Sequence, residues 1–474
     1  MINRNIWPKK FSHKAITIAF AVIFILNALF INYYTPFFLL LLIFGVTIFF
    51  FQSLHRYTVK WEKYSKKIFF RELFLHSIFY RLIFVGILYL TTWIYDPASL
   101  PFEMFAADSW SYYKIGGNLT NNIFNGNYIG ILSRFWKDQA DWGFSIYLGL
   151  INTILFNSVL LVKLINVVLG SLTVVLLAKM ATRLYSFDHG RMTGIIAMLM
   201  PSLMWADAKY LKETLMIFII VMIFFNAVKM VTTGRILFGS IVVIFIGSIL
   251  LFYFRTVIAV IVILSLILYF LLNFATSKRN KMIPFILSFA FIAGIYMFSL
   301  QFSQVAEIEN QFSQLGDASE SRISSKIKKV GTIDLKTQLA IPLVMVNSFI
   351  SPYPSFLNLD IRQVGVISHA QNEVIRIIIY YFALIGIVLL IKRDFANSSL
   401  ILSFTIGYIL ILAVTGTSYS DRFHLPAVPF MIILISVGFI DSSKKWFLNW
   451  NKYLLIIWGA VILWHLFKMG IRGM

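Results

Sequence analysis

The chain has 474 residues, of which 59% are hydrophobic and 13% are charged, and it contains no cysteine. A soluble protein carries roughly twice that charged fraction, so the composition excludes an ordinary soluble domain. The lack of cysteine excludes disulfides and thiolate metal sites. A net charge of +21 suggests nucleic acid in a soluble protein, but in so apolar a chain it indicates basic cytoplasmic loops, and we predict no nucleic-acid partner.

Apolar runs long enough to cross about 30 Å of hydrocarbon recur along the whole chain. They predict an all-α polytopic integral membrane protein with about 12–13 transmembrane helices in a single transmembrane domain, 1–474. The predicted spans lie at about 15–31, 36–52, 79–95, 158–180, 190–206, 210–228, 236–253, 256–274, 282–300, 374–391, 397–415, 425–440 and 449–468.

Lysine and arginine set the predicted sides of the membrane. Arg4, Lys9 and Lys10 place the N-terminus in the cytoplasm by the positive-inside rule. The strongly basic segment 54–81, which ends at Arg81, predicts an amphipathic helix on the anionic headgroups of the inner face. Membrane lipids are therefore expected partners.

Two long polar segments fall on the predicted outer side, namely a first outer loop with interfacial helices, 96–157, and a second outer loop, 301–373. Most acidic residues fall on that side as well, although acids do little to set topology. The exceptions among the 20 acids are Glu62, Glu72, Asp188, Asp394 and Asp441. This asymmetry predicts that carboxylates act on the outer face of the cytoplasmic membrane.

Two predicted outer segments carry the candidate catalytic acids. Asp108 is followed by aromatic residues including Tyr112, and such an acid can take a proton from a hydroxyl while the rings hold a sugar or a lipid tail. The alternative is an aromatic belt at the interface with a solvated acid. Lys212 and Glu213 lie in a tight hairpin between two spans, where the alternative is a helical i, i+4 pair between Lys209 and Glu213.

Three further places suit a phosphate group. Arg255 stands alone between long apolar runs, and its guanidinium either matches phosphate oxygens or extends harmlessly to the interface. Asp421 and Arg422 lie just before one of the last predicted helices. They either bind a phosphate group or form an ion pair with each other at the start of that helix. Glu373 and Arg376 lie where a helix re-enters the membrane, with the same two interpretations.

Taken together, these motifs resemble those of the GT-C class of polytopic glycosyltransferases. The resemblance covers roughly residues 80–440, and two additional helices precede the loop that carries the acid. The matching stretches are Asp108-Ser109-x-x-Tyr112, Pro201-Ser202 with Leu211-Lys212-Glu213, Ser351-Pro352-x-Pro354, and Arg422-Phe423-x-x-Pro426-x-x-Pro429.

The resemblance implies an inverting transfer of sugar from a polyprenyl-phosphate donor to a glycan or lipid acceptor during cell-envelope assembly. It implies Asp108 as the base, Glu213 as a second catalytic acid, and Arg255, Arg422 and Lys212 as neutralisers of the leaving phosphate. The second outer loop would exclude water. Nothing demands a cofactor, and a divalent cation bound by carboxylates is compatible with the pattern.

Three alternatives remain open at this stage. A polysaccharide polymerase of the Wzy type would join polyprenyl-diphosphate-linked repeat units and would need the arginines more than Asp108. A lipid or polysaccharide transporter would show internal repeats and polar mid-membrane surfaces, of which the sequence gives no sign. An outer-face acyltransferase would rest on His369 and His424 alone.

Overall fold

The computed structural model describes residues 5–30, 35–104, 106–127, 142–275, 356–357, 366–414 and 421–472, and within them it contains helices and turns but no strand. The helices are α1 (Lys9–Leu29), α2 (Phe37–Lys60), α3 (Lys66–Tyr95), α4 (Ala107–Phe124), α5 (Trp142–Leu155), α6 (Val159–Leu184), α7 (Phe187–Leu199), α8 (Pro201–Ala208), α9 (Glu213–Thr233), α10 (Phe238–Phe254), α11 (Thr256–Ala275), α12 (Val366–Arg393), α13 (Phe395–Val414), α14 (Asp421–His424), α15 (Val428–Asp441) and α16 (Lys444–Arg472).

The predicted all-α membrane architecture is confirmed. Eight helices within the described ranges are long and apolar enough to cross a membrane, so the chain is a multi-pass membrane protein. Every predicted span except 282–300 overlaps a described helix. That span, the Ser351-Pro352-x-Pro354 motif and nearly all of the second outer loop lie outside the described residues.

The span predicted at 190–206 is formed by two helices. α7 ends at Leu199 and α8 begins at Pro201, with Met200 extended between them at φ −67° and ψ 113°. Proline has no N–H to donate within a helix but fits a first helical position, so the break occurs directly before it.

The basic segment 54–81 does not form a separate surface helix. Its first part continues α2 to Lys60, a 3₁₀ turn follows at Trp61–Lys63, and the rest is the first half of α3. No proline interrupts residues 66–95, so one helix of 30 residues forms where the sequence suggested an interfacial element followed by a span.

Close helix crossings depend on glycine. A Cβ atom at Gly438 on α15 would lie 1.8 Å from the carbonyl oxygen of Phe382 on α12, and one at Gly386 would lie 2.1 Å from that of Leu434. Only glycine permits the two backbones to approach so closely, as is usual where helices pack within a membrane. Helices α12 and α15 therefore form a tightly packed pair at the centre of the bundle.

The bundle has two ends that differ in charge. At one end, Arg191 donates to the carbonyl oxygen of Glu62 at 3.0 Å, and Asp441 lies 3.2 Å from His189 and 4.0 Å from Arg393. This basic end gathers the ends of α2, α6, α12 and α15. Its cationic residues include Lys60, Lys63, Lys66, Lys67, Arg183, Arg191, Lys392 and Arg393.

Candidate functional site

The opposite end of the bundle brings three of the predicted site residues together. The Arg422 guanidinium donates from Nε to Glu213 Oε1 at 2.6 Å and from Nη1 to Asp108 Oδ2. Arg422 lies on α14, and its partners Asp108 on α4 and Glu213 on α9 are 314 and 209 residues away along the chain. One guanidinium thus bridges two carboxylates that are distant in sequence.

The two carboxylates differ sharply in exposure. The side chain of Asp108 is 57% exposed and that of Glu213 is 2% exposed, with Arg422 at 27%. Burial by itself would lower the pKa of Arg422, but the negative charges of Glu213 and Asp108 outweigh it and raise that pKa. The guanidinium therefore stays charged, with one buried and one solvent-facing partner.

A buried network holds Glu213 at the start of α9. Thr214, the next residue, donates to Asp207 Oδ1 at 2.8 Å, and Arg81 Nε donates to Asp207 Oδ2 at 2.5 Å. Gly170 on α6 leaves room for this carboxylate, because a Cβ there would lie 2.0 Å from Asp207 Oδ2. Helices α3, α6 and α8 therefore fix where α9 begins.

Arg81 corrects the sequence analysis, which placed it at the end of a basic inner loop. Its side chain is fully buried at the middle of α3, and it pairs with an acid assigned to the outer side. A single charge flanked by apolar residues within a long helix was the signal for such a buried pair.

Glu103 is a further residue that the sequence reasoning missed. This buried carboxylate accepts hydrogen bonds from the Ser109 hydroxyl and, at 3.4 Å, from the backbone N–H of Tyr210. Ser109 follows Asp108, so Glu103 joins the first turn of α4 to the segment that leads into Glu213. No local pattern marks it, because its partners are distant in the chain.

The alternative interpretation of the hairpin, a helical pair of Lys209 and Glu213, does not fit the structure. Lys209 is extended, with φ −89° and ψ 157°, and it precedes a turn, so the two residues do not share a helical turn. Glu213 pairs with Arg422 instead. Lys212 is buried and its Nζ donates to the carbonyl oxygen of Phe254 at 3.3 Å, which ties the start of α9 to the end of α10.

A second guanidinium lies beside the bridge. Arg255 is extended between α10 and α11, and its guanidinium lies 4.8 Å from the ring centroid of Phe423. Tyr408 donates to the Phe423 carbonyl oxygen at 2.8 Å and so anchors that residue. Because Phe423 follows Arg422, the two arginines lie close to the same short helix, α14.

Among the described side chains, the ion pairs of Arg422 are with Asp108 and Glu213 and include none of the other predicted site residues. Tyr112 is half-buried on α4, one turn beyond Asp108, with its ring 5.1 Å from that of Phe144. Glu373 and Arg376 are buried on α12, and the contacts of Arg422 include neither of them. Asp421 begins α14, but its side chain lies outside the described residues.

Within the described ranges, no group of three or more histidine or acidic side chains is gathered as a metal site. No protein-family model and no curated protein sequence matches the chain.

Proposed function

We propose that the protein is a membrane glycosyltransferase that moves a sugar from a polyprenyl-phosphate donor to a hydroxyl of a glycan or lipid acceptor. The observation that carries the proposal is the bridge that Arg422 makes between Asp108 and Glu213. The GT-C resemblance selects these three residues from three separate motifs, and a chance set of polar residues has no reason to meet at one guanidinium.

Asp108 is the group that receives the proton of the acceptor hydroxyl, because it is the more exposed of the two carboxylates. The acceptor oxygen forms a bond to the anomeric carbon of the donor sugar as the bond from that carbon to the phosphate oxygen breaks. Polyprenyl phosphate leaves with the electron pair. An attack from the face opposite the phosphate inverts the configuration at this carbon.

Negative charge grows on the phosphate as it leaves, and fixed cations lower the free energy of that transition state. Arg422 and Arg255 both lie beside Phe423 and supply this charge. Glu213 holds the Arg422 guanidinium from its buried side, so the cation is oriented before the donor binds. The contribution of Lys212 is to fix the start of α9 through its bond to the backbone.

The charge distribution along the bundle supports an outer location for this chemistry. The basic end lies opposite the Arg422 bridge, and the positive-inside rule assigns such an end to the cytoplasm. The bridge then faces the outer side of the cytoplasmic membrane, where lipid-linked sugars are available to an acceptor outside the cell.

A polymerase acting on polyprenyl-diphosphate-linked repeat units is the second candidate. The observation in its favour is the pair of guanidiniums beside Phe423, since two arginines match the additional charge of a diphosphate.

A transfer assay separates these two candidates. Purified protein in detergent is given polyprenyl-phosphate and polyprenyl-diphosphate sugar lipids, with Asp108→Asn assayed in parallel and Asp96→Asn as a matched control acid outside the bridge. We expect sugar transfer from the monophosphate donor that Asp108→Asn abolishes and Asp96→Asn retains. Joining of diphosphate-linked units that survives Asp108→Asn would favour the polymerase, and folded protein with no covalent product from any donor would reject both.

A further inference from the structure

The two bonds of Arg422 differ in how easily each can be exchanged. Glu213 is buried, so removing its partner would leave an uncompensated charge in a dry environment. Asp108 is mostly exposed, and water readily replaces the partner of an exposed carboxylate. The bond to Glu213 is therefore permanent, whereas the bond to Asp108 is open to competition by another anion.

The contact with Asp108 also occupies the proposed base. Oδ2 of Asp108 already accepts a charge-assisted hydrogen bond from Arg422, so an acceptor hydroxyl must compete with the guanidinium for this oxygen. An arriving phosphate satisfies the same Nη1 donor, because guanidinium groups bind phosphate and carboxylate oxygens in the same geometry. Exchange of Asp108 for phosphate keeps Arg422 between two anions and frees the carboxylate.

We propose that Arg422 is a latch that holds Asp108 until the lipid phosphate of the donor displaces it, so that the donor binds before the acceptor. This inference rests on the proposed function and adds an order of binding to it. The coupling is reciprocal: a phosphate that must displace Asp108 binds less tightly than it would if Asp108 were absent.

The test measures binding of sugar-free polyprenyl phosphate to the purified full-length protein in detergent. Wild type is compared with Asp108→Asn, Arg422→Gln and the double variant. We expect Asp108→Asn to bind about two- to fivefold more tightly, the range expected for release of an exposed ion pair. We expect Arg422→Gln to bind at least about tenfold more weakly, because a charge-assisted contact is lost.

The double variant separates the latch from simple charge repulsion. If Asp108 acts by holding Arg422, its substitution has no effect in the Arg422→Gln background, so the two- to fivefold change seen in wild type is lost there. If Asp108 merely repels phosphate, the tightening persists in that background and the latch is rejected. Asp96→Asn, which removes an acid outside the bridge, should leave binding unchanged, and thermal melting shows whether each variant is folded.

The remaining outcomes distinguish the latch from the function on which it rests. Tight binding that needs Arg422 but is not improved by Asp108→Asn rejects the latch and leaves the donor site in place. Binding that Arg422→Gln does not weaken, or no binding by folded wild type, rejects the phosphate site itself and with it the proposed function.

Discussion

The buried bond between Glu213 and Arg422 gives a prediction that does not depend on the reaction. Glu213→Ala leaves Arg422 with only its exposed partner, Asp108. Loss of one member of a fully buried pair costs about 3–5 kcal/mol, and because Arg422 is partly exposed we expect about 2–3 kcal/mol here. Glu72→Ala is the matched control, since its ion pairs with Arg71 and His76 are open to solvent and such pairs are worth at most about 1 kcal/mol.

The assay is the midpoint of unfolding as SDS is titrated into detergent micelles, followed by the fluorescence of the 11 tryptophans. Glu213→Ala should unfold at clearly lower SDS than wild type, and Glu72→Ala at nearly the same midpoint. Glu213→Gln should lie between them, because an amide oxygen can still accept from Arg422 Nε. Equal midpoints for Glu213→Ala and Glu72→Ala would refute the assignment of Glu213 as the buried anchor of Arg422.

Three further predictions use the same unfolding titration or the transfer assay. Asp207→Ala should cost about 3–5 kcal/mol in the titration, because it leaves a fully buried guanidinium without its carboxylate. Gly438→Ala should destabilise by about 1–3 kcal/mol or more, since its Cβ would overlap a backbone carbonyl, whereas Gly45→Ala, with no atom within 4 Å of the new Cβ, should be neutral. Arg255→Ala should lower the transfer rate about 10²–10³-fold, with Arg255→Lys intermediate, and a rate equal to wild type for the alanine variant would remove Arg255 from the site.

The helices were predictable from the sequence because the bilayer imposes a local rule. A span needs a run of apolar residues of fixed minimum length, and such runs can be read without knowing any contact. Asp108 and Arg422 could also be recognised as candidate site residues from the sequence, because charged residues next to apolar runs are rare. Their meeting at one bridge could not be read from the sequence, because it depends on how distant helices pack.

Glu103 and Arg81 could not be recognised from the sequence for the same reason, because their roles depend on partners that are distant in the chain. Glu103 lies in a polar loop and has no distinctive neighbours, and its importance comes from partners at Ser109 and Tyr210. The lysines and arginines before Arg81 indicate a basic loop, whereas α3 extends without a break and carries Arg81 into the bundle. The composition around Arg81 therefore indicates the inner side of the membrane, whereas helix packing pairs its side chain with Asp207, an acid assigned to the outer side.

The long separation of the bridge residues along the chain affects how the protein is made. At a synthesis rate of about 5–20 residues per second, the 209 residues between Glu213 and Arg422 take about 10–40 s to emerge from the ribosome. During that interval the carboxyl group of Glu213 does not yet have the Arg422 guanidinium as its partner. Nascent chains that stop before α14 never acquire this partner, so the buried ion pair at the start of α9 forms only once nearly the whole chain has been made.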